Sequence, residues 1–233
     1  MKTKNTFLLT ALLFCLSWSF SYAQVPVRTY EFKKGEVFDI LLLVQKPDTQ
    51  EALKKYFEDA FPVAQNLSFQ SVPGFRVAEH SQGNILPDLL VFGKWENLEK
   101  REAFLETITD EVPDFHERRR NIWSYFGLRY YEMSEDFTLR FDKGKLHVAT
   151  AYWFQPGNED SNFYAEWKQV MARHGGEILI ELEEGISPVG YQYNPDIFVI
   201  TTWSNEAEFN AFQQQAFSLK KTGMQHVNEF ILK

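Results

Sequence analysis

An α+β fold made of two related units, each of order βαββαβ, is what this sequence predicts. Three observations carry the prediction: an internal match, alternating apolar stretches bounded by turn residues, and apolar residues at helical spacing between them. Laid over itself at a shift of about 108 residues, the chain brings PDLLVFGKWENLEKREAF (Pro87 to Phe104) onto PDIFVITTWSNEAEFNAF (Pro195 to Phe212) without a gap. One residue more brings FKKGEVFDI (Phe32 to Ile40) onto FDKGKLHVA (Phe141 to Ala149). Matches at both ends of a unit argue for duplication rather than chance, with units at 24–135 and 136–233.

Each unit opens with alternating residues, a Lys-Gly turn and a strongly apolar strand, EVFDILLLVQ or KLHVATAYWFQ, which reads as a hairpin. Asp48-Thr49-Gln50-Glu51 then has the capping-box pattern, ahead of Leu53, Tyr56, Phe57 and Ala60 on one helical face. The second unit answers with a helix starting near Asn158, its face formed by Phe163, Trp167, Val170, Met171 and His174. A second extended region follows, LSFQSVPGFRVAE or EILIELEEGISPVGYQY, and then the Pro-Asp-led strand ending at Trp95 or Trp203. Ser204 is the expected cap of the next helix, with Phe209 and Phe212 inward, matched by Phe104 and Ile108 in the first unit. IWSYFGLRYYEM and MQHVNEFIL close the units as strands. This order is the ferredoxin-like arrangement, an antiparallel sheet with two helices on one face. Strands such as ILLLV and ATAYWF are apolar on both sides, so the open face needs a cover, and two units packed sheet to sheet form a barrel.

Residues 1–23 read as a signal peptide: Lys2 and Lys4, an apolar run from Phe7 to Phe20, and Ser21-Tyr22-Ala23 before a cut ahead of Gln24. The expected destination is periplasmic or secreted. The single cysteine, Cys15, lies in this leader behind Phe14, and the large residue argues against a lipoprotein signal. The folded part is therefore expected to depend on its core without disulfides. The chain has 24 basic and 32 acidic residues; without Lys2 and Lys4 its net charge is −10, histidines neutral, which repels nucleic acid and anionic lipid. No span long enough for a membrane follows the leader. The basic run Arg118-Arg119-Arg120 fits the end of a helix, where cations suit the dipole.

From Asn158 to about Gln215 the chain resembles an uncharacterised small-domain family of the dimeric α+β barrel superfamily. His174-Gly175-Gly176, Glu184-Gly185 and FVITTWSNEAEFNAF carry the resemblance. It implies the fold more than a function, because that superfamily hosts monooxygenases, haem enzymes, small-molecule isomerases and binding domains. The first unit departs from the pattern, with Gln65-Asn66-Leu67-Ser68 in place of the Gly-Gly turn.

The candidate ligand-binding residues are His174 and Arg173 at the helix-ending turn, the equivalent Trp95 and Trp203, and Tyr191. His174 could also do acid–base work near neutral pH. The competing reading has Trp95, Trp153 and Trp203 plugging the barrel. No two of the five histidines have metal-ligand spacing, so no metal site, haem or other cofactor is expected. GxSxG, P-loop and GxGxxG motifs are absent, and no catalytic residue can be named. The reading is an exported protein binding a small apolar or aromatic molecule. The alternatives are a cofactor-independent monooxygenase-like enzyme and a ligand-free structural module of the envelope that could self-associate. Whether the chain is an enzyme, and whether the units pair within one chain, stay open.

Overall fold

The computed structural model describes residues 27–157, 162–188, 190–191, 193–220 and 223–233. The expected leader, its cleavage site and the helix start near Asn158 lie outside them. The first half contains β1 (Val27–Phe32), β2 (Val37–Gln45), α1 (Gln50–Asn66), β3 (Gln70–Gln82), β4 (Leu89–Trp95), α2 (Leu98–Glu111), α3 (Phe115–Ile122) and β5 (Trp123–Glu132). The second contains β6 (Phe137–Asp142), β7 (Leu146–Phe154), α4 (Asn162–Arg173), β8 (Glu177–Glu183), β9 (Ile197–Trp203), α5 (Glu206–Ala216) and β10 (Met224–Leu232).

Eight strands form one antiparallel sheet in the order β5-β2-β4-β3-β10-β7-β9-β8. Each half contributes four, with its last strand beside its first and its third beside its second. The halves join within one chain along the β3–β10 ladder. The row's other ends meet at a single bridge, where Tyr130 N donates to Ile186 O (3.0 Å) and Ile186 N to Tyr130 O (2.8 Å). The sheet therefore curls into a barrel with one laddered seam and one bridged seam.

Alternation along the strands sorts side chains between the barrel interior and the helices. Phe38, Ile40 and Leu42 of β2 point inward to a cluster shared with Phe92, Phe198 and Phe230 from both halves. Val37 and Leu43 point outward beneath α1, α2 and α3, while Val148 and Tyr152 of β7 do so beneath α4 and α5. All seven residues of β9 are buried, as a strand covered on both faces requires.

Four local expectations are corrected. Neither opening hairpin forms: β1 does not fold back on β2 nor β6 on β7, and β1 pairs with β6 instead, Val27 opposite Asp142 and Phe32 opposite Phe137, because Phe32, Leu139 and Phe141 find the barrel interior together. Thr49 precedes α1 without a side-chain capping bond, since its hydroxyl donates to Lys46 O instead. Asn205 rather than Ser204 caps α5, its Oδ1 accepting from Glu208 N at 3.0 Å, and Asn97 caps α2 in the same way through Lys100 N. Trp95 and Trp203 lie beneath the helices and do not plug the barrel, since each follows the outward alternation of its strand; Trp153 alone of the three packs against the interior cluster.

Candidate functional site

α1 and α4 end in the same hydrogen-bond pattern, which fixes how the two helices correspond. Gly175 N reaches Ala172 O and Gly176 N reaches Met171 O; Ser68 N reaches Gln65 O and Phe69 N reaches Ala64 O. Gly175 and Ser68 both take positive φ, 82° and 76°. Met171 thus corresponds to Ala64 and, one turn earlier, Trp167 to Ala60. In the second half Trp167 and Met171 are buried in the layer between helices and sheet. In the first half the two alanines leave a cavity of about 250 Å³, lined by Ala60, Ala64, Phe69 and Trp95 among others. The missing side-chain volume is of the same order as the cavity.

Three buried charged groups line this largely apolar space, with Gln45, Ser71 and Tyr56 as its other polar side chains. Asp39, 4% exposed, points outward from β2 and accepts from Arg101 Nε at 2.8 Å and from Trp95 Nε1 at 3.0 Å. Arg101, 2% exposed, stands at the fifth position counted from the Asn97 cap and lies over the Trp95 and Tyr130 rings at 5.1 and 4.6 Å. Its Nη1 is buried with no hydrogen-bond partner among the described residues. The same positions in the second half hold Val148 and Phe209, both buried, and Trp203 Nε1 donates to Thr201 Oγ1 instead.

Arg119 comes from α3, a helix without a counterpart among the described residues of the second half. It is 8% exposed, and among the described residues its hydrogen bonds go to phenols: Nε to Tyr56 OH at 2.8 Å and Nη1 to Tyr191 OH at 2.7 Å. Its guanidinium sits 4.1 and 4.4 Å from the Phe115 and Phe126 ring centroids. No carboxylate pairs with it among the described residues. Burial raises the Tyr56 pKa, opposed by Arg119, and the phenol stays protonated. On the outer side, His116 Nδ1 lies 3.1 Å from Tyr191 OH, and desolvation followed by the nearby Arg119 and Arg120 lowers the His116 pKa.

Of the sequence candidates, Trp95 lines the cavity and Tyr191 holds Arg119 from outside it. Trp203 belongs to the filled second half. Arg173 and His174 border a shallow surface hollow with Ala207 and Glu208, where His174 Nε2 meets Gln215 Oε1 at 2.9 Å. The Gly-Gly turn beside them serves packing, because a Cβ on Gly176 would stand 2.5 Å from Trp203 Cη2. Sequence reading missed Asp39, Arg101 and Arg119. One signal was present: in the internal match, Arg101 falls on Phe209, a charge where the other unit has an inward ring.

No family model and no curated protein matches the chain. Among solved structures, an anthrone oxidase-like protein is similar in fold at 15% identity, covering 89% of this chain and 94% of its own, with a TM-score of 0.51. A mutant chlorite dismutase from Candidatus Nitrospira defluvii shares 8% identity over 87% of this chain and 92% of its own, TM-score 0.47. A candidate monooxygenase from Fusobacterium nucleatum shares 12% over 87% and 93%, TM-score 0.41. The chain shares the α+β fold of the anthrone oxidase-like protein, and identities this low say nothing of chemistry. Among the described residues no helix is long and apolar enough to cross a membrane.

Proposed function

We propose that this is an exported protein of two tandem α+β repeats, 24–135 and 136–233, whose first repeat binds a small apolar or aromatic molecule between its helices and sheet. The observation that carries the reading is the replacement of Trp167 and Met171 by Ala60 and Ala64, which opens about 250 Å³ in one repeat where the other is packed. Interiors normally leave few such voids, and an apolar space of this size accepts small aromatic molecules. It lies below the range usual for drug-sized ligands, so the occupant is small. No histidine lines the cavity, which does not fit a haem, and no cofactor enters this reading.

The test is a native mass spectrum of the protein recovered from its own compartment, beside the Ala60→Trp variant. A retained small molecule that is lost from Ala60→Trp, with circular dichroism unchanged, supports the site. A retained molecule indifferent to that change places binding elsewhere. Recovery of a chain beginning at Gln24 tests export in the same spectrum.

A second reading, a monooxygenase-like enzyme, is favoured by the fold shared with the anthrone oxidase-like protein. It predicts oxygen uptake with an anthrone, abolished by Ala60→Trp. Absence of uptake leaves the binding protein.

A further inference from the structure

We propose that the ligand of this cavity is a monoanion, an apolar molecule bearing one carboxylate that Arg101 and Arg119 hold. The inference rests on the binding reading above and adds the chemical class of the ligand.

Charge on the cavity wall is the first argument. Among the described residues Asp39, Arg101 and Arg119 are the only ionic ones lining it, so the wall carries one uncompensated positive charge. That charge is buried among rings, and an unpaired buried charge is costly unless something answers it. A monoanion brings the wall to neutrality. A dianion would leave a buried negative charge, and a cation would double the positive one.

Unfilled hydrogen-bonding capacity is the second. Arg101 is 2% exposed, yet its Nη1 has no partner among the described residues. Tyr56 OH accepts from Arg119 Nε and keeps its own proton to donate. A carboxylate accepts through two oxygens and matches donors of this kind, whereas a neutral apolar molecule would leave Arg101 unanswered.

The third is the second half, where the same framework holds Val148 and Phe209 in place of Asp39 and Arg101. The packing of this layer therefore does not require an ion pair, and well-packed apolar residues usually serve stability as well or better. The charges accompany the void. Phe57, 37% exposed, lines the same cavity and marks where it meets solvent.

Calorimetric titration with 2-naphthoate and its neutral isostere 2-naphthamide tests this. The expected result is that naphthoate binds the native protein at least tenfold more tightly than naphthamide. Arg119→Met should remove that preference, with naphthoate affinity falling to that of naphthamide. If Arg119→Met does not fold, the double variant Asp39→Val, Arg101→Phe, which copies the other half, should weaken naphthoate selectively. Equal affinity of the two probes for the native protein overturns the monoanion and leaves the binding reading standing. Failure of both probes to bind overturns both.

Discussion

Trp95 Nε1 donates to Asp39 Oδ2 at 3.0 Å, beneath a helix that covers both groups. The indole thus shares a carboxylate with Arg101 Nε, and the three side chains form one buried unit. Asp39→Val leaves Arg101 charged, buried and unpaired, and should destabilise by about 3–5 kcal/mol. Adding Arg101→Phe should recover most of that loss, as the apolar pair Val148 and Phe209 shows the layer can be packed. Urea denaturation of both single variants and the double variant measures the coupling; additive losses would contradict a shared unit.

Filling the void should raise stability and remove binding together. Ala64→Met, copying Met171, is expected to stabilise by about 1 kcal/mol because it adds contacts without displacing packed groups. A melting temperature that falls instead would mean that the neighbouring rings already collapse into the space.

The two glycines after α4 should behave differently. Gly175 takes φ +82° and faces only the Glu208 carboxylate, so Gly175→Ala should cost about 1 kcal/mol of left-handed strain. A Cβ on Gly176 meets Trp203 and Met171 at 2.5 and 2.6 Å, so Gly176→Ala should cost more, roughly 1–3 kcal/mol. Thermal melts showing the reverse order would refute this assignment.

His147 provides a pH prediction. Burial lowers its pKa below the ordinary 6.5, only partly offset by its hydrogen bond to Asp142 O. The unfolded chain therefore takes up a proton more readily, and the stability held above pH 6.5 is lost as the pH falls below it. Phe38 occupies the same place in the first half, opposite Lys94 as His147 lies opposite Thr202. His147→Phe should make unfolding free energy less steep below pH 6.5, though not flat, because the His116 pKa is lowered too. An unchanged slope would show that His147 is charged in the native state.

The ladder of elements was legible because it is local. The match of Pro87–Phe104 with Pro195–Phe212 marks β4 with α2 and β9 with α5, down to Phe104 and Phe212 facing the core. Apolar period identified Phe163, Trp167, Val170 and Met171 on the buried face of α4 as well, whereas His174 lies beyond the end of that helix. What escaped depends on groups distant in sequence. The β1–β6 pairing joins residues more than a hundred apart, which no turn signal encodes. Arg119 read as a helix-end cation, and it is one by position; its burial arises only because Tyr56 and Tyr191 approach from other segments. The void was hidden for a related reason, since Ala60 and Ala64 look like ordinary helix formers until their counterparts are identified.

The laddered seam also sets an order of events during folding. β3 waits for a neighbour about 150 residues further on, Gln82 for Glu229. Until β10 is in place the chain holds one four-stranded set and three strands of the other, with the edge of β3 bare and the aromatic interior open. The halves are alike in strand order, yet neither can seal its inner face while its sister is unfinished. The two sets of strands in this chain thus close one barrel rather than two.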